Sequence, residues 1–253
     1  MLKKNIILGV GITNEEVDTI LEHVLKLLKK GEKFSIVTPN PEILVYASKH
    51  PEYKKVLNHA EVSLADGVGL FVAGRVLGEP LGERFTGVDF MEKLCEKSAE
   101  RPMSIGFLGG KPGIAEKAAD CLKQKYPWIE VAFTGEEWPT DRADRSNGSY
   151  GSDKTGPFMP QTIDILFVAF GAPKQEEWIA SNLNKLPVKA AMGVGGAFDY
   201  LSGEVRRAPV WIRKMGFEWL FRLITQPWRW RRQLALVEFM WLVYKQALLK
   251  AKS

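Results

Sequence analysis

The sequence has few of the residues from which disulfides and metal sites are built. It contains 2 cysteines and 3 histidines in 253 residues. The two cysteines lie in predicted helices, so no disulfide framework is expected. The histidines and cysteines show no metal-ligand spacing. Asp-x-Asp, a carboxylate pair that commonly holds a divalent metal, does not occur. We therefore expect neither a metal nor another cofactor.

Nucleotide-binding fingerprints are also missing. Gly9–Asn14 and Gly193–Phe198 begin like the dinucleotide motif but lack its sixth small residue, so a nicotinamide or flavin enzyme is not expected. Gly109–Gly113 lacks the Gly-Lys-Ser/Thr ending of the Walker loop. Gly109 and Gly110 follow a predicted strand and precede a predicted helix, which suits a phosphate. A plain turn remains the alternative.

No run of about 18 uncharged apolar residues occurs, so no membrane-spanning helix is expected. The apolar segment Ile6–Ile12 is short and precedes no small-residue cleavage site, so it indicates a first strand, Asn5–Val10. These features predict a cytoplasmic protein.

Short apolar strands alternate with amphipathic helices through the first 203 residues. This pattern predicts an α/β fold with a Rossmann-like, mostly parallel sheet flanked by helices. Residues 139–160 are rich in Asp, Arg, Ser and Gly without periodicity. We expect a mobile surface loop there.

The C-terminal part of the chain is basic and rich in tryptophan. Residues 206–253 hold 11 Lys or Arg and 2 Glu, and they contain 5 of the 8 tryptophans. We expect a helical appendage over residues 204–253, separate from a catalytic core over 1–203. Its apolar positions recur at helical spacing: Leu234, Val237, Trp241, Tyr244 and Leu248.

Three functions fit such an appendage. Basic, aromatic-rich amphipathic helices lie at membrane interfaces, where Trp favours the headgroup level and Arg is attracted to anionic lipid. Nucleic-acid binding and packing or oligomerisation are the alternatives. Arg222, Arg229 and Arg232 are spaced so that a continuous helix would stack them on one side, although Pro227 interrupts that path.

Strand ends supply the candidate site residues. Asp66 follows the apolar segment Val62–Leu64, and Gly67 allows a tight turn before the next helix. Ligands of open α/β sheets gather at the carboxyl ends of strands, but Asp is also a favoured helix N-cap. Asp199 is a second carboxylate at a strand end. Lys174 is placed to meet a leaving diphosphate, although an exposed lysine of no special role is the commoner case.

Several stretches together resemble the WecG/TagA/CpsF family, glycosyltransferase family 26. The resemblance covers nearly the whole chain, and the 139–160 segment departs from it. The stretches are Thr38-Pro39-Asn40, Ala65-Asp66-Gly67, Glu83-Arg84-Phe85-Thr86-Gly87, Gly171-Ala172-Pro173-Lys174-Gln175-Glu176, Gly195-Gly196-Ala197-Phe198-Asp199, Arg207-Ala208-Pro209 and Glu218-Trp219-Leu220-Phe221-Arg222-Leu223.

The resemblance implies an inverting, metal-independent transferase. It would move N-acetylmannosamine (ManNAc) from UDP-ManNAc onto the 4-hydroxyl of the N-acetylglucosamine (GlcNAc) in undecaprenyl-diphosphate-GlcNAc. The product would be the β-1,4 linkage disaccharide of wall teichoic acid. Such an enzyme would be peripheral on the inner face of the cell membrane, on an anionic surface, without a nucleic-acid partner and with a homo-oligomer possible.

The resemblance also implies roles for individual residues. Asp66 would be the general base, with Thr38 and Asn40 positioning a substrate near it. Arg84 would help to bind the diphosphate. Gln175 and Asp199 would bind the nucleotide sugar. Arg222, Arg229 and Arg232 would meet the lipid diphosphate at the membrane.

Two alternatives remain open. The same fold could use UDP-glucose or UDP-N-acetylmannosaminuronic acid, because a few pocket contacts decide the donor. A non-catalytic membrane- or nucleic-acid-binding protein is the other. It predicts that Asp66→Ala leaves function intact, whereas an enzyme would lose turnover.

Overall fold

The computed structural model describes residues 2–139 and 162–251, with the side chains of Lys214, Arg229, Arg231 and Arg232 also outside the described part. The loop predicted over residues 139–160 therefore lies, beyond its first residue, outside the described residues. The described strands are β1 (Lys4–Ile7), β2 (Val10–Thr13), β3 (Phe34–Val37), β4 (Val62–Ser63), β5 (Ser104–Gly109), β6 (Glu130–Gly135), β7 (Ile163–Ala169) and β8 (Val188–Gly193).

Helices connect these strands and continue after the last one. Short 3-10 helices cover Leu183–Lys185 and Pro227–Arg229. The α-helices are α1 (Val17–Lys30), α2 (Pro41–Lys49), α3 (Pro51–His59), α4 (Val68–Val76), α5 (Gly87–Lys97), α6 (Ile114–Lys125), α7 (Lys174–Asn182), α8 (Ala197–Leu201), α9 (Val210–Lys214), α10 (Glu218–Thr225) and α11 (Trp230–Lys250).

The strands form one hairpin and one larger sheet. Among the described residues, six strands pair in the order β4-β3-β8-β7-β5-β6, and β1 pairs with β2. The pairs β3–β8, β8–β7, β7–β5 and β5–β6 are parallel. The prediction of an α/β fold with a mostly parallel sheet and C-terminal helices is confirmed.

The chain forms two compact units, and each is assembled from segments that are separate in the sequence. The first unit contains Met1–His23, Val37–Gly87 and Arg206–Ser253, and the second contains Val24–Ile36 and Val88–Val205. The boundary predicted near residue 203 lies close to the point where the chain leaves the second unit.

The first unit begins with a hairpin where the sequence predicted a single strand, Asn5–Val10. β1 and β2 are antiparallel, and Leu8 and Gly9 form the turn with φ of 50° and 79°. Two successive positive φ angles are typical of tight hairpin turns, but a leucine there costs about 1 kcal/mol. The Leu8 N–H donates to Gln246 Oε1 at 3.0 Å, a tertiary contact that local sequence does not indicate.

The core of the first unit includes α11. Phe239 and Val243 are both 0% exposed, and they lie in one hydrophobic cluster with residues of the hairpin, α2, α3 and α4. The apolar stripe predicted on this helix is exposed, since Val237 is 71% and Trp241 55% exposed. α11 is therefore apolar on two faces, and the face that carries Phe239 and Val243 packs against the rest of the first unit.

The second unit is built around β5, β7 and β8. All six residues of β5 are buried, which is typical of a parallel strand covered on both faces. A hydrophobic cluster joins β5, β6, β7 and β8 to α7. The carboxyl ends of β5, β7 and β8 lead into turns that contain Gly110, Gly171 and Gly195.

Candidate functional site

Asp66 lies in the first unit, beside the Thr38-Pro39-Asn40 turn. The Leu64 N–H donates to Val37 O at 2.9 Å, and the Asp66 N–H donates to Pro39 O at 2.9 Å. These bonds hold the segment after β4 along the segment after β3. Thr38 is buried and Asp66 half-buried. The structure therefore brings together Asp66 and the turn predicted to accompany it.

Asn40, and not Asp66, is a helix cap. Asn40 Oδ1 accepts a hydrogen bond from the Ile43 N–H at 3.0 Å, and Pro41 occupies the first turn of α2. The N-cap of α4 is Gly67, whose φ of 87° suits glycine. The N-cap alternative for Asp66 is therefore wrong by one residue. Asp66 is left as the half-buried carboxylate of this turn.

Arg84 lies on a loop that the rest of the first unit holds at its base. The side-chain amides of Asn5 and Asn14 both donate to Pro80 O, at 2.9 and 3.2 Å. The Gly82 N–H donates back to Asn14 Oδ1 at 2.8 Å. The hairpin thus fixes the start of this loop.

Residues from the C-terminal segment hold the other end of the loop. The Arg84 guanidinium donates to the Arg213 carbonyl. The Arg207 guanidinium donates to Thr86 Oγ1 at 3.1 Å and forms an ion pair with Glu218 at 3.4 Å. Sequence reasoning gave Arg207 no role, although it lies in one of the stretches that carry the family resemblance. Three of those stretches therefore meet in one polar network.

Arg222 is half-buried on α10. The backbone of Arg229 ends the 3-10 helix Pro227–Arg229, and that of Arg232 lies in the first turn of α11. The side chains of these last two residues lie outside the described part of the structure. The predicted grouping of the three guanidinium groups therefore stays a prediction.

The predicted nucleotide-binding residues all lie in the second unit. Gly109 ends β5, and Gly110 begins the turn that leads to α6. Lys174 is the first residue of α7 and is exposed, whereas Gln175 is buried. Asp199 is half-buried in the first turn of α8, which follows β8.

One side chain joins two of these strand ends. Gln175 Oε1 accepts the Gly171 N–H at 3.1 Å and the Gly195 N–H at 3.0 Å. Gly171 follows β7, and Gly195 follows β8. The structure therefore brings Gln175 together with the turn that leads to Asp199.

Cys95, on α5, carries an unreactive thiol. Burial, and next the charge of Glu92, raise the pKa of the Cys95 thiol to about 12. The thiol is therefore protonated at neutral pH and is a poor nucleophile. Within residues 2–139 and 162–251, no group of three or more His, Cys, Asp or Glu side chains could hold a metal ion.

The chain matches known proteins along nearly its whole length. The model of the glycosyl transferase WecG/TagA/CpsF family matches residues 5–253. The chain belongs to this family.

No helix among residues 2–139 and 162–251 combines the length and hydropathy that crossing a membrane requires.

Three relatives share one name, N-acetylglucosaminyldiphosphoundecaprenol N-acetyl-beta-D-mannosaminyltransferase. The protein of Bacillus spizizenii is 32% identical over 94% of this chain and 90% of its own length. That of Staphylococcus aureus is 32% identical over 97% and 93%. That of Bacillus subtilis is 31% identical over 83% and 79%. The match to the WecG/TagA/CpsF family model, over residues 5–253, includes every motif stretch named above.

Proposed function

We propose that this chain transfers N-acetylmannosamine from UDP-ManNAc to the 4-hydroxyl of GlcNAc in undecaprenyl-diphosphate-GlcNAc. The names of the relatives support the transferred sugar and the lipid-diphosphate acceptor. The observation that carries the chemistry is the placement of Asp66, which is half-buried at a strand end and held beside the Thr38-Pro39-Asn40 turn. Asp66 lies one residue before Gly67, the N-cap of α4.

The proposed reaction is a direct displacement with inversion. The acceptor hydroxyl oxygen forms a bond to C1 of the sugar, the bond from C1 to the UDP oxygen breaks, and UDP leaves. The Asp66 carboxylate accepts the hydroxyl proton as that bond forms. Thr38 and Asn40 position a substrate near Asp66, and Arg84 contributes positive charge toward a diphosphate.

The second unit supplies the donor-binding residues in this proposal. Lys174 is exposed at the start of α7, where a cation can meet the charge of the leaving diphosphate. The backbone at Gly109 and Gly110 can approach a phosphate closely before α6 begins. Asp199 and Gln175 lie at the two remaining turns and serve the nucleotide sugar.

The test is a donor panel read by UDP release. The full chain is incubated with a lipid-diphosphate GlcNAc analogue and with UDP-ManNAc, UDP-glucose or UDP-N-acetylmannosaminuronic acid. We expect turnover with UDP-ManNAc and activity that persists in EDTA. Turnover with another donor only would reassign the sugar, and a strict divalent-metal requirement would contradict the use of protein cations. Absence of turnover with every donor would remove the proposed activity.

We also propose that the appendage binds an anionic membrane surface on the inner face of the cell membrane. Its exposed aromatic and aliphatic side chains favour lipid over nucleic acid, because a protein surface that binds nucleic acid would be mainly polar and basic. They belong to α9, α10, α11 and the segments beside them: Val210, Trp211, Met215, Phe217, Trp219, Leu220, Ile224, Trp228, Trp230, Leu234, Val237, Met240, Trp241, Tyr244, Leu248 and Leu249.

Paired surface substitutions test the membrane proposal better than deletion would. Deleting the appendage also removes Phe239 and Val243 from the core of the first unit. Val237→Ser with Trp241→Ser leaves that core intact, and Val76→Ser, at another exposed valine, is the control. We expect the double variant alone to lose sedimentation with phosphatidylglycerol vesicles. If the wild-type protein stays in the supernatant and self-associates through this face, the face is a contact between two copies of the chain and the membrane proposal is wrong.

A further inference from the structure

Two buried polar side chains lie beside the glycine-containing turns of the second unit. Gln175 is 2% exposed and Glu176 is 1% exposed. A carboxylate is rarely buried to this degree unless it has hydrogen-bond partners. The burial of these two side chains needs an explanation, because polar residues in the first turn of a helix are usually exposed to solvent.

The two side chains form a connected set of hydrogen bonds. Gln175 Nε2 donates to Glu176 Oε1 at 2.7 Å. The other end of the same amide, Oε1, accepts the N–H groups of Gly171 and Gly195. Glu176 is thus linked through Gln175 to the turn after β7 and the turn after β8.

Glu176 and two backbone N–H groups together set the orientation of the Gln175 amide. If the amide were flipped, its NH2 group would face two backbone N–H donors, and each unsatisfied buried donor costs about 1–3 kcal/mol. In the observed orientation Glu176 Oε1 accepts the hydrogen bond from Nε2, so Glu176 favours the orientation in which Nε2 points toward it.

Packing also restricts the Gln175 side chain. A Cβ on Gly193 would lie 2.8 Å from Gln175 Nε2 and 3.1 Å from Cδ. The amide therefore packs directly on the backbone at the end of β8. A side chain at position 193 would push it away from the two turns.

We propose that Glu176 is a positioning residue for the donor site. It fixes the Gln175 amide, and the amide in turn sets the spacing of the turns after β7 and β8. The inference rests on the proposed function, in which these turns serve a UDP-sugar. It implies that Gln175 acts on the nucleoside diphosphate mainly through the turns that it joins.

Exchanging the two residues tests the proposal. In Gln175→Glu, two carboxylates face each other, and in Glu176→Gln the acceptor-only group is lost. The double variant Gln175→Glu/Glu176→Gln restores one donor and one acceptor pair in reversed order, and the carboxylate introduced at position 175 still accepts both backbone N–H groups. We expect the Kd for UDP, measured by calorimetry on the full chain, to rise roughly tenfold in Gln175→Glu, or about 1.4 kcal/mol. The double variant should return to within about threefold of the wild type.

Further readouts separate positioning from other roles. Direct contact of the Gln175 amide with the nucleotide predicts that the exchange fails to restore UDP binding, because a carboxylate cannot donate the lost hydrogen bond. Positioning predicts that donor KM follows Kd while acceptor KM is unchanged. Glu177→Gln, at the exposed neighbouring residue of α7, is the matched control and should bind UDP like the wild type.

The outcomes distinguish this inference from the proposed function. If the wild type binds UDP and both single variants bind it equally well, the role of Glu176 is wrong. Failure of the exchange variant to recover, with its thermal unfolding transition intact, also contradicts it. If the wild-type protein does not bind UDP at all, the proposed donor site falls, and the inference falls with it. Glu176→Met removes the acceptor for Gln175 Nε2 and has a side chain of similar length, so it serves as the test if Gln175→Glu does not fold, and the Kd for UDP should rise in it as well.

Discussion

Strand-end turns in the two units are held in different ways. In the first unit, backbone hydrogen bonds hold the turn after β4, and Asp66 remains half-buried beside Thr38. In the second unit, the Val194 N–H donates to Val168 O in the same way, and the almost fully buried side chain of Gln175 adds a second connection between the two turns. A polar residue after a parallel strand can therefore be a reacting group or a part of the framework.

The first unit shows the same division within one turn. Asn40 uses its side chain to cap α2, whereas Asp66 stands one residue before the N-cap of α4. Substitution of Asn40 should therefore lower stability, whereas substitution of Asp66 should lower the rate of the reaction. Loss of chemistry and loss of stability can be measured separately.

The largest expected effect is at Asp66. Asp66→Asn removes the proton acceptor but keeps the shape, so we expect kcat to fall roughly 100- to 10,000-fold, the usual contribution of a general base. UDP affinity and the thermal unfolding temperature should stay near wild-type values. Asp120→Asn, at an exposed carboxylate on α6, is the control. Retention of wild-type kcat in Asp66→Asn would end the proposed role.

A smaller effect is expected at Arg207, which connects the Arg84 loop to α10. Arg207→Leu takes this ion-pair partner away from the half-buried Glu218 carboxylate, at a cost of about 1–3 kcal/mol. We expect lower stability in urea and weaker acceptor binding, because the loop that carries Arg84 loses one attachment. Arg206→Leu removes the same charge at an exposed neighbouring position and should change neither. Equal losses in both variants would point to net charge instead of the network.

Lys174 and Glu176 offer a comparison within α7. Lys174→Met removes an exposed cation, so we expect the Kd for UDP to rise about fivefold to tenfold, as for the loss of one charge-assisted contact. The unfolding temperature should not change, in contrast to substitutions of the buried pair. Lys185→Met, on the 3-10 helix after α7, is the control. Wild-type UDP binding by Lys174→Met would assign this lysine to the solvated surface.

Much of the architecture could be predicted from the sequence. Alternating apolar segments indicated the parallel strands, and the turn glycines indicated where they end. The hairpin at Leu8 was missed because its turn uses leucine at positive φ and is supported by Gln246, far along the chain. Periodicity also did not reveal which side of α11 is buried. Both sides are apolar, and only the packing of Phe239 and Val243 shows the answer.

The site was predictable at the level of segments but not of side-chain duties. Motif stretches grouped Asp66 with Thr38, and the segments that carry them lie side by side, but the roles of both residues stay predictions. Capping was assigned one residue away, because an N-cap depends on where the backbone turns and not on residue type alone. Glu176 and Arg207 were passed over because charged residues near helix starts are usually exposed. The burial of Glu176 and the ion pair of Arg207 with Glu218 show otherwise.

The smallest expected effect is at Asn40, and it sharpens the contrast with Asp66. Asn40→Ala removes the cap of α2, so we expect a loss of about 1 kcal/mol in the free energy of unfolding by urea. Asn40→Asp keeps an oxygen that can accept the Ile43 N–H and should restore stability. If Asn40 also positions a substrate through its amide N–H groups, Asn40→Asp will be stable but slower, since a carboxylate cannot donate. Full activity in Asn40→Asp would leave capping as its role.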